Sequence, residues 1–179
     1  MKPVDIFAKN LAKIEELQEF CRWPVTQWLG ECFSFGLPCL VAETFRSQAR
    51  QNELWLIGRR GIAGEEKRTW TLTSQHTLRL AVDVLPSQVN IRSNRALTRT
   101  FLDQVAQIGE KYGIYRPPEL VKKGDLGHFQ TDRAVPIVAP VGIDAQKRFA
   151  TRAIKRLSGE QKERAVSRFF RTFGVLPVL

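Results

Sequence analysis

Apolar residues recur at three- and four-residue steps from Asp5 to Cys21. Phe7, Leu11, Ile14, Leu17 and Cys21 share one helical face, and Lys9, Lys13, Glu16 and Glu19 mark the opposite one. The pattern predicts one amphipathic helix, ended at Trp23-Pro24 because proline restricts the residue before it. Val25–Gly36 is aromatic without a clean period; Trp28, Phe33 and Phe35 read as core rings rather than as an exposed binding surface. Gly36-Leu37-Pro38 is a turn and Cys39–Phe45 a strand. Ser47 is a good N-cap for a helix to about Ile57, with Leu54 and Trp55 facing inward and Gly58 ending it.

Arg59–Lys67 is a polar loop whose glycines are too loosely spaced for a phosphate-binding fingerprint. Trp70–Thr73 is a short extended piece. Leu80–Leu85 reads as a buried strand, stopped by Pro86. A helix from about Arg95 to Tyr112 carries the stripe Leu97, Phe101, Val105, Ile108 and Tyr112, with Gly113 as its cap. Ile114-Tyr115, a Pro117-Pro118 break and a strand in or beside His128-Phe129 come next. This order predicts an α+β fold: a small, largely antiparallel sheet with flanking helices.

After Arg133 the composition shifts. Ala134–Gly142 reads as a connector. Asp144 and Ser158 are the N-caps of two further helices, to about Leu157 and near Gly174. The expected organisation is a catalytic domain at 1–133 and a basic helical extension at 134–179. That extension holds nine Lys or Arg against three Asp or Glu, so +6 of the total +10 lies there. Such a charge favours anionic partners without specifying a fold. A solvated lid packed on the domain is preferred to an anionic-envelope-binding hairpin, since charge runs are usually solvated.

The length of 179 residues and a 43% hydrophobic content suffice for one domain with a proper core. Cys21, Cys32 and Cys39 form no C-x-x-C pair, which argues against a Cys-rich metal site and fits folding under reducing conditions. No apolar run reaches membrane-spanning length, and the first residues lack a signal-peptide core. Synthesis in the cytoplasm without an export signal is therefore expected.

The chain has two histidines, His76 and His128. Asp83 lies in the middle of an apolar strand, where a carboxylate is costly unless it meets a cation or hydrogen-bond donors. His76, in the polar loop just upstream, can fold back beside it, and His128 supplies a third ligand. Three ligands from His and Asp suit a catalytic zinc ion, which keeps its fourth position for water. Asp125, three residues before His128 and flanked by Gly124 and Gly127, is then the natural general base. A lone His or Asp is more often a surface group or a satisfied core group, and H-x6-D is not a strong motif by itself.

The residues S-x-H-x6-D (Ser74, His76, Asp83) and D-x-x-H-F (Asp125, His128, Phe129), with the upstream run Glu43–Gln51, Leu54-Trp55 and Gly58-Arg59, resemble the zinc peptidases of peptidoglycan. These include D-alanyl-D-alanine carboxypeptidases, dipeptidases linked to vancomycin resistance, and phage L-alanyl-D-glutamate endopeptidases. The resemblance spans about residues 40 to 130. It implies Zn2+ held by His76, Asp83 and His128, Asp125 as catalytic base and Arg46 as oxyanion-stabilising cation. It also implies Ser74 and Gln51 as polar contacts to substrate. The family usually has Gly where this chain has Arg79, and often a Trp- and Gly-rich turn where this chain has Tyr115–Leu120.

Residues and resemblance together predict a monomeric zinc metallopeptidase acting on the peptidoglycan peptide stem. A phage-type L-alanyl-D-glutamate endopeptidase is preferred to a D-alanyl-D-alanine carboxypeptidase because no export signal is visible; release by a holin, or carriage in a virion, would bring it to the wall. A nucleic-acid-binding role, argued from +10 alone, lacks zinc-finger spacing, an RNP pattern or a helix-turn-helix, so no nucleic-acid partner is expected. A virion structural protein with a dead peptidase fold is the remaining alternative, and the complete ligand set argues against it.

Overall fold

A computed structural model describes residues 3–131. The expected boundary at 133/134, the connector and the two basic helices lie outside the described residues.

Four strands form one antiparallel sheet: β1 (Cys39–Glu43), β2 (Ala81–Pro86), β3 (Ile114–Tyr115) and β4 (His128–Thr131), in spatial order β1-β2-β4-β3. The helices are α1 (Pro3–Ile14), α2 (Glu19–Ser34), α3 (Gln48–Leu56), α4 (Val89–Arg92), α5 (Arg95–Glu110) and α6 (Pro118–Lys122). The α+β class and the small antiparallel sheet agree with the sequence expectation.

Side chains alternate across a strand, so each strand has a core face and an open face. Val41, Val82, Val84, Phe129 and Ile114 join one core with α2 and α5. Trp28 of α2 is its centre. Its ring is fully buried and tilted against Phe129 at 4.8 Å between centroids, and its Nε1–H donates to the Val105 carbonyl at 2.8 Å. Gly109 of α5 lets that ring approach: a Cβ there would stand 3.2 Å from Trp28 Nε1 and 2.9 Å from the Ile114 carbonyl oxygen. β1 is an edge strand, and Asn10 of α1 covers its free side, donating to Cys39 O at 2.8 Å and accepting from Val41 N at 2.9 Å.

Two expectations at the N-terminus are corrected. The predicted single helix is two, α1 and α2, although Ile14, Leu17 and Cys21 share one core as the period requires. The break falls where Arg79 docks: its Nη1 donates to Glu16 O at 2.8 Å and its carbonyl accepts from Gln18 N at 3.0 Å. Backbone groups bonded to a distant loop are not available to continue a helix. Pro24 does not end a helix but sits buried inside α2, where its missing N–H removes one bond, to the Phe20 carbonyl. Phe35, expected in the core, is 64% exposed.

The remaining boundaries shift little. Ser47 caps α3 as expected, accepting from Arg50 N at 3.2 Å. Asn94 caps α5 by accepting from Ala96 N and Leu97 N, and Leu97 itself is exposed. The three cysteines are all buried. Among the described residues no helix is long and apolar enough to cross a membrane.

Candidate metal centre

The open face of the sheet carries the candidate chemistry. Asp83 of β2 and His128 of β4 are cross-strand partners, and Gln130, two residues on, shares their face. Close approach of the strands depends on Gly127. Val84 N donates to Gly127 O at 2.9 Å, and a Cβ at Gly127 would lie 2.8 Å from the Val84 carbonyl oxygen.

His76 reaches the same point from the turn at 74–79. Ser74 shapes that turn, accepting from His76 N at 3.3 Å through its hydroxyl and from Thr77 N at 2.9 Å through its carbonyl. The turn docks on the end of β1: Arg46 N donates to His76 O at 3.3 Å, and His76 Nδ1 lies 3.1 Å from Thr44 O. Arg79 closes it in the left-handed region, at φ 61°. This accounts for the glycine usual in the resembled family, since that conformation favours glycine. Here Arg79 holds it by its bond to Glu16 O and by stacking over the Phe45 ring, 4.1 Å from the centroid.

Three atoms converge. His76 Nε2 lies 3.0 Å from Asp83 Oδ1 and 3.1 Å from His128 Nδ1, and His128 Nδ1 lies 3.1 Å from Asp83 Oδ1. Both histidines are buried. The far nitrogen of each ring faces an oxygen: His76 Nδ1 meets Thr44 O, and His128 Nε2 meets Gln130 Oε1 at 3.3 Å. With a proton on each far nitrogen, the near nitrogens and Asp83 Oδ1 present three lone pairs to one another. Such a triangle is repulsive without a cation at its centre. Tetrahedral zinc at about 2.0–2.1 Å from N or O sets its ligands about 3.3 Å apart, close to the spacing found. The donor set therefore fits a zinc ion, and His76, Asp83 and His128 are the group among the described residues able to hold a metal.

The electrostatics are those of a tight polar cluster. Burial alone would raise the Asp83 pKa, but when the rings are protonated, bonds and charge from His128 and His76 hold its carboxyl well below the usual carboxylate range. Burial would lower the His128 pKa, and Asp83 outweighs it, so the net direction is upward. Asp125 stands at the rim. Desolvation and the Asp83 charge raise its pKa, partly offset by the charge of His128 and a bond from the His128 backbone N–H.

Arg46 lies on the same side, with Nη2 3.9 Å from Asp83 Oδ2. Its Nε donates to both Glu43 oxygens at 3.1 Å, Nη2 donates to Glu43 Oε2, and Nη1 donates to Gln51 Oε1 at 2.8 Å. Glu43 faces Asp83 because of a register shift between Val41 and Glu43; the bulge re-aims the end of β1. Gln51, expected to touch substrate, is fully buried behind Arg46, with its amide nitrogen on Thr69 Oγ1 at 3.0 Å and Thr71 O at 2.6 Å. It orients Arg46 and ties α3 to the 69–71 segment. Sequence reading missed Glu43, the Thr44 carbonyl, Gln130 and Tyr115. Only Gln130 left a signal, two residues after His128 in a strand.

Fold and site together define an α+β sheet domain with a candidate single-metal centre on its open face. No protein-family model and no curated protein matches the chain. Among solved structures it is similar to the Serratia marcescens L-Ala D-Glu endopeptidase ChiX, at TM-score 0.46 and 21% identity, covering 69% of this chain and 86% of that one. It is also similar to VanYB in complex with D-alanine-D-alanine, at TM-score 0.46 and 20% identity, covering 70% and 71%.

Proposed function

We propose that this chain is a zinc peptidase hydrolysing the peptide stem of bacterial peptidoglycan, and within that class a phage-type L-alanyl-D-glutamate endopeptidase. The observation that carries the metal part is the triangle of His76 Nε2, Asp83 Oδ1 and His128 Nδ1, whose edges are 3.0–3.1 Å. The substrate class rests on the S-x-H-x6-D and D-x-x-H-F motifs that supply these same residues.

His76, Asp83 and His128 are the ligands. A zinc ion held there would supply a Lewis acid for activating water and the scissile carbonyl. Asp125 takes the proton of the attacking water on its carboxylate and returns it to the leaving amide nitrogen. Its raised pKa suits this double task, bringing the acid nearer to neutrality than an ordinary aspartate. Arg46, fixed by Glu43 and Gln51, sets positive charge where negative charge develops on the carbonyl oxygen. Because those partners hold it, it needs no reorganisation during the reaction. Ser74, half-buried on the His76 turn, contacts the stem.

Digestion of purified peptidoglycan with and without a chelator, read by mass spectrometry, tests the proposal. Chelator-sensitive products with a new N-terminal D-Glu are expected. Free D-Ala would replace the endopeptidase with a carboxypeptidase. No products from a folded, zinc-loaded sample would overturn the peptidase assignment.

A further inference from the structure

The ring of His128 has two nitrogens, and only one can face Asp83 and His76. The group behind the other decides which lone pair is offered. Gln130 is two residues along β4, hence on the same face, and its Oε1 lies 3.3 Å from His128 Nε2. Gln130 is itself held from β3. The register pairs it with Tyr115, and its Nε2 donates to the Tyr115 hydroxyl at 2.6 Å. The amide thus has its nitrogen committed outward and its oxygen turned to the histidine.

We propose that Gln130, braced by Tyr115, is a positioning residue that keeps the His128 proton on Nε2 and aims the Nδ1 lone pair at the metal site. This rests on the zinc-ligand reading above. A histidine ligand whose far N–H has a fixed acceptor is oriented in advance and is a more basic donor; loss of such a partner typically weakens metal binding by about 10–100-fold. Gln130 would be invisible to a search for ligands because it touches none of the reacting atoms. His76 is held by a main-chain carbonyl, which no substitution removes, whereas His128 depends on a replaceable side chain.

The test is Zn2+ affinity of the full chain, measured by competition with a chromophoric chelator, for wild type, Gln130→Leu, Gln130→Glu and Tyr115→Phe. Gln130→Leu should weaken binding about 10–100-fold. Gln130→Glu, which keeps the acceptor, should bind about as well as wild type. Tyr115→Phe should show a smaller loss, because the amide becomes free to rotate. In the zinc-loaded wild type, NMR should show a slowly exchanging His128 Nε2–H proton that is lost in Gln130→Leu. Circular dichroism separates misfolding from loss of affinity, and the Glu variant reports on the acceptor even if the Leu variant is unstable. Equal affinity of wild type and Gln130→Leu, or no rescue by Glu, would overturn the inference alone. Failure of the wild type to bind Zn2+ would overturn the ligand assignment and this inference with it.

Discussion

Asp83 and His128 face each other across the β2–β4 ladder, with Asp83 Oδ1 3.1 Å from His128 Nδ1. Neighbouring strands supply this pair, and only His76 comes from a turn. The centre is therefore two-thirds sheet, and its precision is inherited from strand register.

A site assembled from two strands and a turn should link metal binding to stability. Zinc at about 100 times its Kd adds about 2.7 kcal/mol, worth roughly 5–10 °C in Tm for a chain of this size. Asp83→Asn and His76→Ala should abolish the shift. Calorimetric scans with and without Zn2+ check this, and an unchanged shift in Asp83→Asn would remove that residue from the ligand set.

Ligation and proton transfer should separate by mutation. Asp125→Asn is expected to bind Zn2+ like the wild type while its hydrolysis rate falls about 10²–10⁴-fold. His128→Ala should lose both. Parallel measurement of zinc content and stem-peptide cleavage decides it; a wild-type rate in Asp125→Asn would reassign the base.

Gly127 sets the distance between the strands that carry Asp83 and His128. Its replacement by Ala puts a Cβ 2.8 Å from the Val84 carbonyl oxygen. Neither backbone can retreat without disturbing the ladder, so Gly127→Ala should destabilise by about 1–3 kcal/mol. Urea unfolding gives the number, and an unperturbed midpoint would show that the strands shift freely.

Arg79 holds a left-handed turn by side-chain contacts in place of glycine's freedom. Arg79→Ala keeps the strained conformation and loses the Glu16 bond and the Phe45 stacking, for an expected loss of about 1–2 kcal/mol. Arg79→Gly loses the same contacts but relieves the strain, and should recover about 1 kcal/mol of that. Denaturant midpoints in the order wild type, Gly, Ala are expected.

Glu31 joins α2 to the end of α5. Burial would raise its pKa, but Lys111 Nζ at 2.6 Å and the Tyr112 hydroxyl hold the carboxyl below the ordinary glutamate value of 4.5. A depressed folded pKa contributes stability that is complete above the unfolded value and is lost as pH falls through the folded one. Glu31→Gln should therefore cost about 1 kcal/mol at neutral pH and progressively less below pH 4.5. Unfolding curves for both proteins between neutral and acid pH test it; a constant difference would mean the ion pair contributes nothing.

Much of the fold and the site was legible in the chain. The short apolar run at 80–85 announced β2 as a buried strand, and the 3.6-period stripe at 97–112 announced α5 as a helix with one buried face. A carboxylate inside an apolar strand, with two histidines elsewhere, singled out the cluster because an unpaired buried charge is costly. Ser47 and Gly113 marked ends through local hydrogen bonding and positive φ. The tertiary structure decided whatever depends on distant partners. The break between α1 and α2 comes from Arg79, some sixty residues away. Glu43 reaches Arg46 and Asp83 through a bulge that no local pattern announces, and Gln51 lies behind Arg46 because α3 packs against the 69–71 segment. Sequence period fixes which face a residue occupies; which groups meet on that face is set by register and docking, and those are properties of the folded chain.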